Sequence, residues 1–329
     1  MSNAEVLEII SSSNRHLSEA DQHTLADRVT EFWRGAGTRY RYWRAPGERP
    51  LDHVVACSRT ALAQASVSPA EVDLVVYVGV GRGWLEPAMA VAIQKELQLS
   101  NATSFDVLDA CASWLRGLQL VHSLMRSGTC RVALLVNCEF NPLDYLRLTF
   151  DEVSDVDRFL AGFTIGEAAT ATVLTASAVD DFHFVFRTFS EYVDLCMLPL
   201  PNHADFLRID GQGSQAPLQF YAHSRQLVAT TTRKIFEVFH ADGKLRSESY
   251  DVVFGHGASE RAADLLCRKL QVPFERLIRT HACYGNTISA SIPLAMSLGL
   301  ASGQVQRDMK CLVVIGSAGI TVGLASFTF

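Results

Sequence analysis

The feature that most restricts the fold of this chain is an alternation of continuous apolar, β-rich runs with helical segments. In the first half, apolar runs at 73–80, 104–111 and 130–139 are separated by helical patterns at 88–99 and 114–128. Continuous apolar strands between helices are typical of a sheet that is covered by helices on both faces. The pattern therefore predicts an α/β fold.

The second half repeats this plan, which predicts two similar halves. Its strand-like runs and helical segments follow in the same order and with similar lengths, at 249–257, 259–271, 276–283, 288–303 and 310–319. In this alignment, which spans about 70 residues by eye, DACAS (109–113) corresponds to HACYGNT (281–287). We therefore expect a pseudo-twofold axis, with an N-terminal half over residues 1–174 and a C-terminal half over residues 175–329.

Three polar side chains lie just beyond predicted strands and could meet at that axis. Cys111 lies at a strand–turn–helix junction, where the partial positive charge of a helix N-terminus would lower the pKa of its thiol. His256 is flanked by glycines, and Asn286 follows Gly285 in a turn. Taken singly, Cys111 could be an inert core cysteine and Asn286 a turn-former. Together the three form a Cys/His/Asn set suited to nucleophilic catalysis.

Composition narrows the class of protein. Hydrophobic residues make up 48% of the chain, and the net charge of −6 argues against bulk nucleic-acid binding. None of the eight cysteines forms a CxxC pair, so a zinc site is not expected. No apolar run is long enough to span a bilayer, and the N-terminus lacks the pattern of a secretory signal. We therefore expect a cytoplasmic enzyme.

From about Trp33 to Phe329, the chain resembles the thiolase-fold condensing enzymes of the β-ketoacyl-acyl-carrier-protein synthase III type. The most specific motif is YGNT followed by ASIPLA, within HACYGNTISASIPLAMSLGL. Other matching segments are AGTRYRYW, EVDLVVYV, SFDVLDACASW, FTIGEAATATVL, YVDLCMLPLPN, VVFGHGAS and VVIGSAGITVG. The resemblance implies a five-layered αβαβα fold, a homodimer, acyl-CoA or acyl-carrier-protein substrates, and no metal or redox cofactor.

The resemblance also implies roles for individual residues. Cys111 corresponds to the acylated nucleophile, and His256 and Asn286 correspond to the two residues that support decarboxylation of a malonyl thioester. Histidine and asparagine can supply the two donors that an enolate oxygen needs. Backbone N–H groups at Cys111 and in the glycine-rich turn would stabilise the second oxyanion, and the turn residues are Gly316, Ser317 and Ala318.

Substrate-binding residues follow from the resemblance as well. The segment WRGAGTRYRYWR could by itself be a solvated basic edge or a nucleic-acid patch. In the family, a tryptophan and arginines near this position hold coenzyme A, which suggests Trp33, Arg34 and Arg39. Ser259 replaces an asparagine of the family beside the substrate tunnel.

Two further departures from the family pattern affect the substrate pocket and the N-terminus. The family's apolar dimer contact reads Trp84, Leu85, Glu86 here. Glu86 is interpreted either as a helix N-terminal charge before Pro87, the favoured interpretation, or as a polar group that faces substrate. The N-terminal segment VLEIISSSNRHLSEAD predicts that the family's first strand is kept with altered pairing. This divergence suggests a specialised fatty-acid or polyketide-type pathway.

Three functions remain open at this point. The first is decarboxylative Claisen condensation of an acyl thioester with a malonyl or β-ketoacyl thioester. The second is transfer of the Cys111-bound acyl group to a hydroxyl, amine or thiol without condensation. The third is a non-catalytic subunit of a heterodimeric synthase. Retention of Asn286 favours condensation, and retention of Cys111, His256 and Asn286 together argues against the third.

Overall fold

Two β-sheets with helices around and between them make up the structure. The computed structural model describes residues 1–140, 142–177, 180–206 and 217–329. Its helices are α1 (Asn3–Ser13), α2 (Glu19–Ala36), α3 (Pro50–Gln64), α4 (Met89–Leu97), α5 (Ser113–Arg126), α6 (Pro142–Tyr145), α7 (Ser224–Ala241), α8 (Gly243–Ser247), α9 (Glu260–Leu270), α10 (His281–Tyr284) and α11 (Ser291–Ser302). Its strands are β1 (Leu74–Val78), β2 (Thr103–Val107), β3 (Val132–Glu139), β4 (Ala168–Thr175), β5 (His183–Thr188), β6 (Cys196–Met197), β7 (Tyr221–Ala222), β8 (Val252–Gly255), β9 (Leu277–Ile278), β10 (Lys310–Ser317) and β11 (Thr321–Thr328).

The two large sheets share one topology. In the first, with order β2-β1-β3-β4, strand β1 pairs in parallel with β2 and β3, and β4 runs antiparallel to β3. In the second, with order β5-β11-β10-β8-β9, strand β8 pairs in parallel with β9 and β10, and β11 runs antiparallel to β10. Strands β1 to β4 therefore correspond to β8 to β11, and the predicted boundary after residue 174 falls at the end of β4.

Three buried clusters show that the sheets and helices form five layers. Helices α3 and α4 pack on the outer face of the first sheet, and α7 and α9 pack on the outer face of the second. Helices α5 and α11 lie between the sheets, where Leu115 and Ile292 pack among residues of both. The predicted thiolase-like αβαβα architecture is therefore confirmed.

The N-terminal segment differs from the prediction. Residues expected to keep a strand form α1, which begins at a capping box: the Ser2 hydroxyl accepts from the Glu5 N–H, and the Glu5 carboxylate accepts from the Ser2 N–H. Val6 and Ile10 are buried against α2 and a segment around Phe150 and Phe163. The prediction of a strand was wrong, because a short apolar run does not distinguish a strand from a helix.

Two smaller differences lie in the C-terminal half and near β4. The strand predicted at 276–283 is only Leu277–Ile278, and the residues after it form α10. Strands β4 and β11 were not predicted from the alternating pattern. β11 nevertheless lies in the middle of its sheet, paired with β5 and β10.

Candidate active site

Cys111 lies in a tight turn between β2 and α5. The turn is the 3₁₀ segment Ala110–Ala112, and Ala110 has a left-handed backbone with φ 45°. The Ser113 hydroxyl stabilises this bend, because it donates to the Ala110 carbonyl at 2.7 Å and accepts from the Asp109 N–H at 2.8 Å. The sulfur-bearing residue is thus held at the start of α5, as the sequence predicts.

The other half of the molecule supports this turn. The Ser317 hydroxyl, at the end of β10, donates to the Asp109 carbonyl at 2.9 Å and accepts from the Ala112 N–H at 3.3 Å. Both contacts join residues on either side of Cys111 to the C-terminal sheet. Ser317 therefore supports the turn Ala110–Ala112 through its side chain. The sequence predicted instead that backbone N–H groups of the segment 316–318 stabilise an oxyanion.

The electrostatic setting of Cys111 differs from the expectation. Burial is the largest influence and raises the pKa of the thiol, and the nearby Cys196 and Glu139 raise it further. The predicted lowering by the helix N-terminus is therefore outweighed.

A matching turn occurs in the second half. The 3₁₀ segment Ile288–Ala290 precedes α11, and Ile288 has φ 52°. The Ser291 hydroxyl donates to the Ile288 carbonyl at 2.8 Å, as Ser113 does in the first turn. The residue that corresponds to Cys111 is therefore Ser289. The predicted alignment of DACAS with 281–287 was wrong, and DACAS corresponds to 287–291.

The amide of Asn286 has a defined orientation. Its Oδ1 accepts the Ile288 N–H at 3.0 Å, which is a local turn contact and leaves the NH₂ end as the group available to a ligand. Its backbone crosses the N-terminal half, where its N–H donates to the Thr164 carbonyl at 2.8 Å and its carbonyl accepts the Gly166 N–H at 3.1 Å. Asn286 is thus both a turn-former and a preorganised donor.

This crossing requires glycine on both chains. A Cβ on Gly166 would lie 2.0 Å from the Tyr284 carbonyl oxygen, and a Cβ on Gly285 would lie 2.4 Å from that of Thr164. Gly285 also has φ 71°, which other residues rarely adopt. The glycines of the IGE and YGN segments therefore fix the position of Asn286.

His256 follows β8 directly, and its N–H donates to the Val314 carbonyl of β10 at 3.1 Å. Burial lowers the pKa of its imidazole to about 4, and the neighbouring His281 adds to this. His256 is therefore neutral at physiological pH. Among the described residues its Nδ1 has no hydrogen-bond partner, although that atom is buried.

The segments that carry or adjoin the three predicted residues pack near one another. The Cys111 turn packs against the turn Ile288–Ala290, which follows Asn286 by two residues. It also packs against the end of β10, the neighbour of the strand that precedes His256. Residues from both halves thus surround one position at the pseudo-twofold axis. This arrangement suits acyl capture on sulfur next to hydrogen-bond donors.

Comparison with known proteins agrees with this architecture. Residues 105–190 match the family model described as 3-oxoacyl-[acyl-carrier-protein] synthase III, and residues 241–329 match the model of its C-terminal part. A β-ketoacyl-[acyl-carrier-protein] synthase III of Rhodospirillum rubrum is 29% identical over 314 residues, covering 92% of each chain. The chain belongs to the synthase III-like family of thiolase-fold condensing enzymes.

Solved structures share the fold. OleA of Xanthomonas campestris, in crystals with lauric acid and lauroyl-CoA, matches with a TM-score of 0.83 at 18% identity, covering 100% of this chain and 95% of OleA. The 3-oxoacyl-[acyl-carrier-protein] synthase III of Aquifex aeolicus matches with a TM-score of 0.76 at 22% identity, covering 91% of each chain. In the described part of the chain, no helix is both long enough and apolar enough to cross a membrane.

A surface cavity of about 540 Å³ is lined by all three residues predicted to hold coenzyme A, which are Trp33, Arg34 and Arg39. Asn3, Thr30 and Glu260 also line it, among others. The prediction for Trp33 fits less well. Its side chain is 2% exposed, and its indole N–H donates to the Phe163 carbonyl at 3.1 Å, so the ring packs in the core instead of offering a face to adenine.

Most of the other predicted site residues make hydrogen bonds within the fold. The Ser259 hydroxyl caps α9 by accepting the Ala262 N–H at 3.0 Å. Gly316 and Ser317 are paired in the β10–β11 ladder, so Ala318 is the one residue of that set in the turn beyond it. The Trp84 indole N–H donates to the Pro87 carbonyl at 2.8 Å.

Glu86 is not the helix N-terminal charge that we favoured. Helix α4 begins at Met89, and Asp106 of β2 caps it, accepting the Met89 N–H at 2.8 Å and the Ala90 N–H at 3.0 Å. A long-range cap of this kind leaves no local sequence signal. Glu86 is exposed next to Leu85, which is 67% exposed.

Sequence reasoning missed one buried group near the site. Glu139, at the end of β3, is 1% exposed, and its charge acts on the thiol of Cys111. The signal was available, because an acidic residue ends the otherwise apolar run VALLVNCE. Among the described residues, no group of three or more His, Cys, Asp or Glu side chains is placed to hold a metal ion.

Proposed function

We propose that this enzyme catalyses a decarboxylative Claisen condensation between an acyl group held on Cys111 and a malonyl thioester. The observation that carries this proposal is the orientation of Asn286. Its oxygen is engaged by the Ile288 N–H, so its NH₂ end remains as a donor beside the Cys111 turn. A preorganised donor of this kind suits an enolate oxygen, and plain acyl transfer forms no enolate.

Each residue then has a chemical role. The Cys111 sulfur attacks the donor thioester, a new S–C bond forms, the donor C–S bond breaks, and the carrier leaves as its thiol. Loss of CO₂ from the malonyl thioester leaves an enolate, which accepts hydrogen bonds from Asn286 and from neutral His256. The enolate carbon attacks the acyl–Cys111 carbonyl to form a C–C bond, and N–H groups at Cys111 and Ala318 hold the resulting oxyanion. When this intermediate collapses, the C–S bond to Cys111 breaks, the β-ketoacyl thioester leaves and the free Cys111 sulfur is regenerated.

Coenzyme A is the carrier that the surface cavity favours for the acyl donor. Arg34 and Arg39 line the cavity, and guanidinium groups bind phosphates in a bidentate manner. One structural relative was solved with lauroyl-CoA, which recommends medium-chain acyl-CoA as the first substrates to test. Use of such donors would fit the specialised pathway suggested by the divergent N-terminus.

We also propose a homodimer as the active form. Leu85 is 67% exposed and Leu108, which follows β2, is 62% exposed, and Trp84, which precedes Leu85 in the chain, is 40% exposed. Exposed apolar side chains near a strand that has a free edge favour association with a second copy. Sedimentation of the wild type and of Leu85→Lys tests this, since a monomeric wild type contradicts the proposal.

The decisive experiment loads the protein with a panel of acyl-CoA thioesters, adds malonyl-CoA or malonyl carrier protein, and measures CO₂ release. We expect acyl-dependent CO₂ release that is lost in both Cys111→Ala and Asn286→Ala. Mass spectrometry of the intact protein should show the acyl adduct in Asn286→Ala but not in Cys111→Ala. An adduct on Cys111 without CO₂ release from either malonyl carrier contradicts condensation and favours plain acyl transfer.

A further inference from the structure

A buried histidine joins the loop that follows β8 to the helix that precedes Asn286. His281 is the first residue of α10 and is 2% exposed. Its Nδ1 lies 2.7 Å from the Gly257 carbonyl oxygen, and its Nε2 lies 2.7 Å from the Thr38 hydroxyl oxygen. Both ring nitrogens are therefore used in contacts within the fold.

These two contacts hold whatever the charge of the ring. A carbonyl oxygen only accepts, so Nδ1 carries a proton and donates to Gly257 in the neutral and in the protonated ring. The Thr38 hydroxyl can donate to a neutral Nε2 or accept from a protonated one. The link from Thr38 through His281 to Gly257 is therefore kept in both protonation states.

One end of this link reaches the chain next to His256. Gly257 directly follows His256, whose own N–H donates to the Val314 carbonyl of β10 at 3.1 Å. A Cβ on Gly257 would lie 3.0 Å from the Thr280 hydroxyl oxygen, so this loop packs closely on the residue before His281. His256 is thus fixed to the C-terminal sheet through its backbone and to α10 through His281.

The same histidine leads to Asn286 through α10. The Gly285 N–H donates to the His281 carbonyl at 2.9 Å, which ends α10 one residue before Asn286. The backbone of Asn286 then pairs with the N-terminal half. His256 and Asn286 are therefore anchored to different halves of the molecule, and His281 connects the two anchors.

The Thr38 contact places this connection beside the surface cavity. Thr38 and Ala282, the residue after His281, both line the cavity. The Ala282 carbonyl accepts the N–H groups of Arg39 and Tyr40 at 3.0 Å each. Helix α10 is thus held between the cavity wall and the loop that carries Gly257.

We propose that His281 is a positioning residue that sets the spacing between the His256 ring and the Asn286 amide. Two donors stabilise one enolate oxygen only when both are within hydrogen-bond distance of it, and a misplacement of about 1 Å can lower a rate by about 10²-fold. The geometry assigns His281 no contact with substrate, and acyl capture on Cys111 forms no enolate. The effect on decarboxylation rests on the proposed function, whereas the fixed position of His256 does not.

The first test compares three replacements at this one position. His281→Asn keeps a donor that can reach the Gly257 carbonyl, because its amide nitrogen and the ring Nδ1 are both bonded to Cγ. His281→Gln reaches only toward Thr38, and His281→Phe keeps neither contact. We expect CO₂ release by the acylated enzyme to fall by about 10²-fold in the Phe and Gln variants, and by less than about tenfold in the Asn variant. The KM for the malonyl thioester and the rate of acyl–Cys111 formation should stay near the wild-type values.

The matched control is His240→Phe, the same change at a half-buried histidine of α7. The His240 ring stacks on Phe236 with centroids 4.2 Å apart, and its Nε2 has no hydrogen-bond partner among the described residues. Acyl capture and CO₂ release should match the wild type in this variant. A loss confined to the variants at residue 281 therefore reports the link and not the removal of a histidine.

A second measurement needs no substrate. In protein made with isotope-labelled histidine, the Nδ1–H of His281 should give an NMR signal that is protected from exchange with solvent and is lost in His281→Phe. The ring signals of His256, assigned by comparison with His256→Asn, should move more in His281→Gln than in His281→Asn. Both of these variants remove the ring, so the difference between them reports the bond to Gly257.

Three results would overturn the proposal. The first is equal loss of acyl capture and CO₂ release in a folded His281→Phe, and the second is unchanged CO₂ release in that variant. The third is equal movement of the His256 signals in His281→Gln and His281→Asn, which also decides the question if His281→Phe does not fold. A wild type that releases no CO₂ contradicts the condensation, and the NMR comparison still tests whether His281 positions His256.

Discussion

The two halves of the molecule build the same turn, yet only one of the two turns carries a cysteine. Ala110–Ser113 and Ile288–Ser291 share a left-handed first residue, a 3₁₀ segment and a serine that bonds back to that residue's carbonyl. At the second position one turn carries Cys111 and the other carries Ser289. The fold thus supplies the same backbone geometry twice, and the two turns differ in the side chain at the second position.

The same sequence separation relates the other functional residues to their counterparts. His256 corresponds to Val78, Asn286 to Leu108, and Ser317 to Glu139. At each of these positions, one half has a polar residue of the candidate site, and the other half has an apolar residue or a residue that supports the fold. The last pair is the most instructive, because each member supports the turn of the opposite half: Ser317 with a neutral hydroxyl, Glu139 with a buried carboxylate.

The largest effect is expected from exchanging the two turn residues. Cys111→Ala should lower acyl capture by at least about 10³-fold, and adding Ser289→Cys should not restore it. Ser289 is 1% exposed and is held by Glu139 and Asn137, so a thiol there cannot reach substrate. Intact-protein mass spectrometry after incubation with acyl-CoA measures this. Recovery of an adduct on residue 289 would show that the turns are chemically interchangeable.

The second-largest effect is expected at Asn286, which lies two residues before the turn that begins at Ile288. Asn286→Leu, which introduces the residue of the other half, should reduce CO₂ release by about 10²- to 10³-fold, because a donor to the enolate is lost. The acyl–Cys111 adduct should still form. Asn101→Leu, the same type of change at an exposed asparagine between α4 and β2, is the control and should leave acylation and CO₂ release nearly unchanged. Equal loss of adduct and CO₂ in Asn286→Leu would mean that the residue supports the turn and not the enolate.

His256 makes the free energy of unfolding depend on pH in the acidic range. Its counterpart Val78 has no ionisable group and cannot have this effect. An unfolded histidine titrates near 6.5, and the pKa of His256 in the fold is about 4. Between these values the unfolded chain binds more protons, so the free energy of unfolding falls as pH falls through this window, by up to about 3 kcal/mol. His256→Asn should flatten the dependence seen in urea unfolding from pH 7 to pH 4. His281, whose pKa burial also lowers, keeps part of the slope in both proteins.

The layers could be predicted from the sequence, and so could the strand ends at which the candidate catalytic residues lie, for identifiable reasons. The apolar runs at β1, β3, β8 and β10 are continuous and bounded by turns, and His256 directly follows β8, whereas Cys111 lies in the turn after β2 and Asn286 follows α10. Sequence reasoning failed where a short pattern was ambiguous, as in α1, and where a partner lies far away in sequence. Asp106 caps α4 and Glu139 bonds Ser289 through contacts that no local pattern encodes.

The alignment error has a physical cause as well. DACAS and HACYGNT share the letters AC, but Cys283 lies in α10 and is exposed, whereas the true counterpart of Cys111 is a serine. What the two turns share is a left-handed residue followed three positions later by serine. Alanine and isoleucine rarely adopt a left-handed backbone conformation, so the identities of Ala110 and Ile288 give no sequence signal for these turns.

The smallest expected effect tests whether the two turns are equivalent in energy as well as in shape. Ser113 donates to the Ala110 carbonyl at 2.7 Å and accepts the Asp109 N–H, and Ser291 donates to the Ile288 carbonyl at 2.8 Å and accepts the Thr287 hydroxyl. Each serine-to-alanine change should therefore lower the free energy of unfolding by about 1 kcal/mol. Ser113→Ala should cost somewhat more, because it also leaves a backbone N–H without its acceptor, whereas the Thr287 hydroxyl can rotate. Urea unfolding of both variants decides this. A larger loss in Ser291→Ala would mean that the catalytically silent turn is the one that holds the halves together.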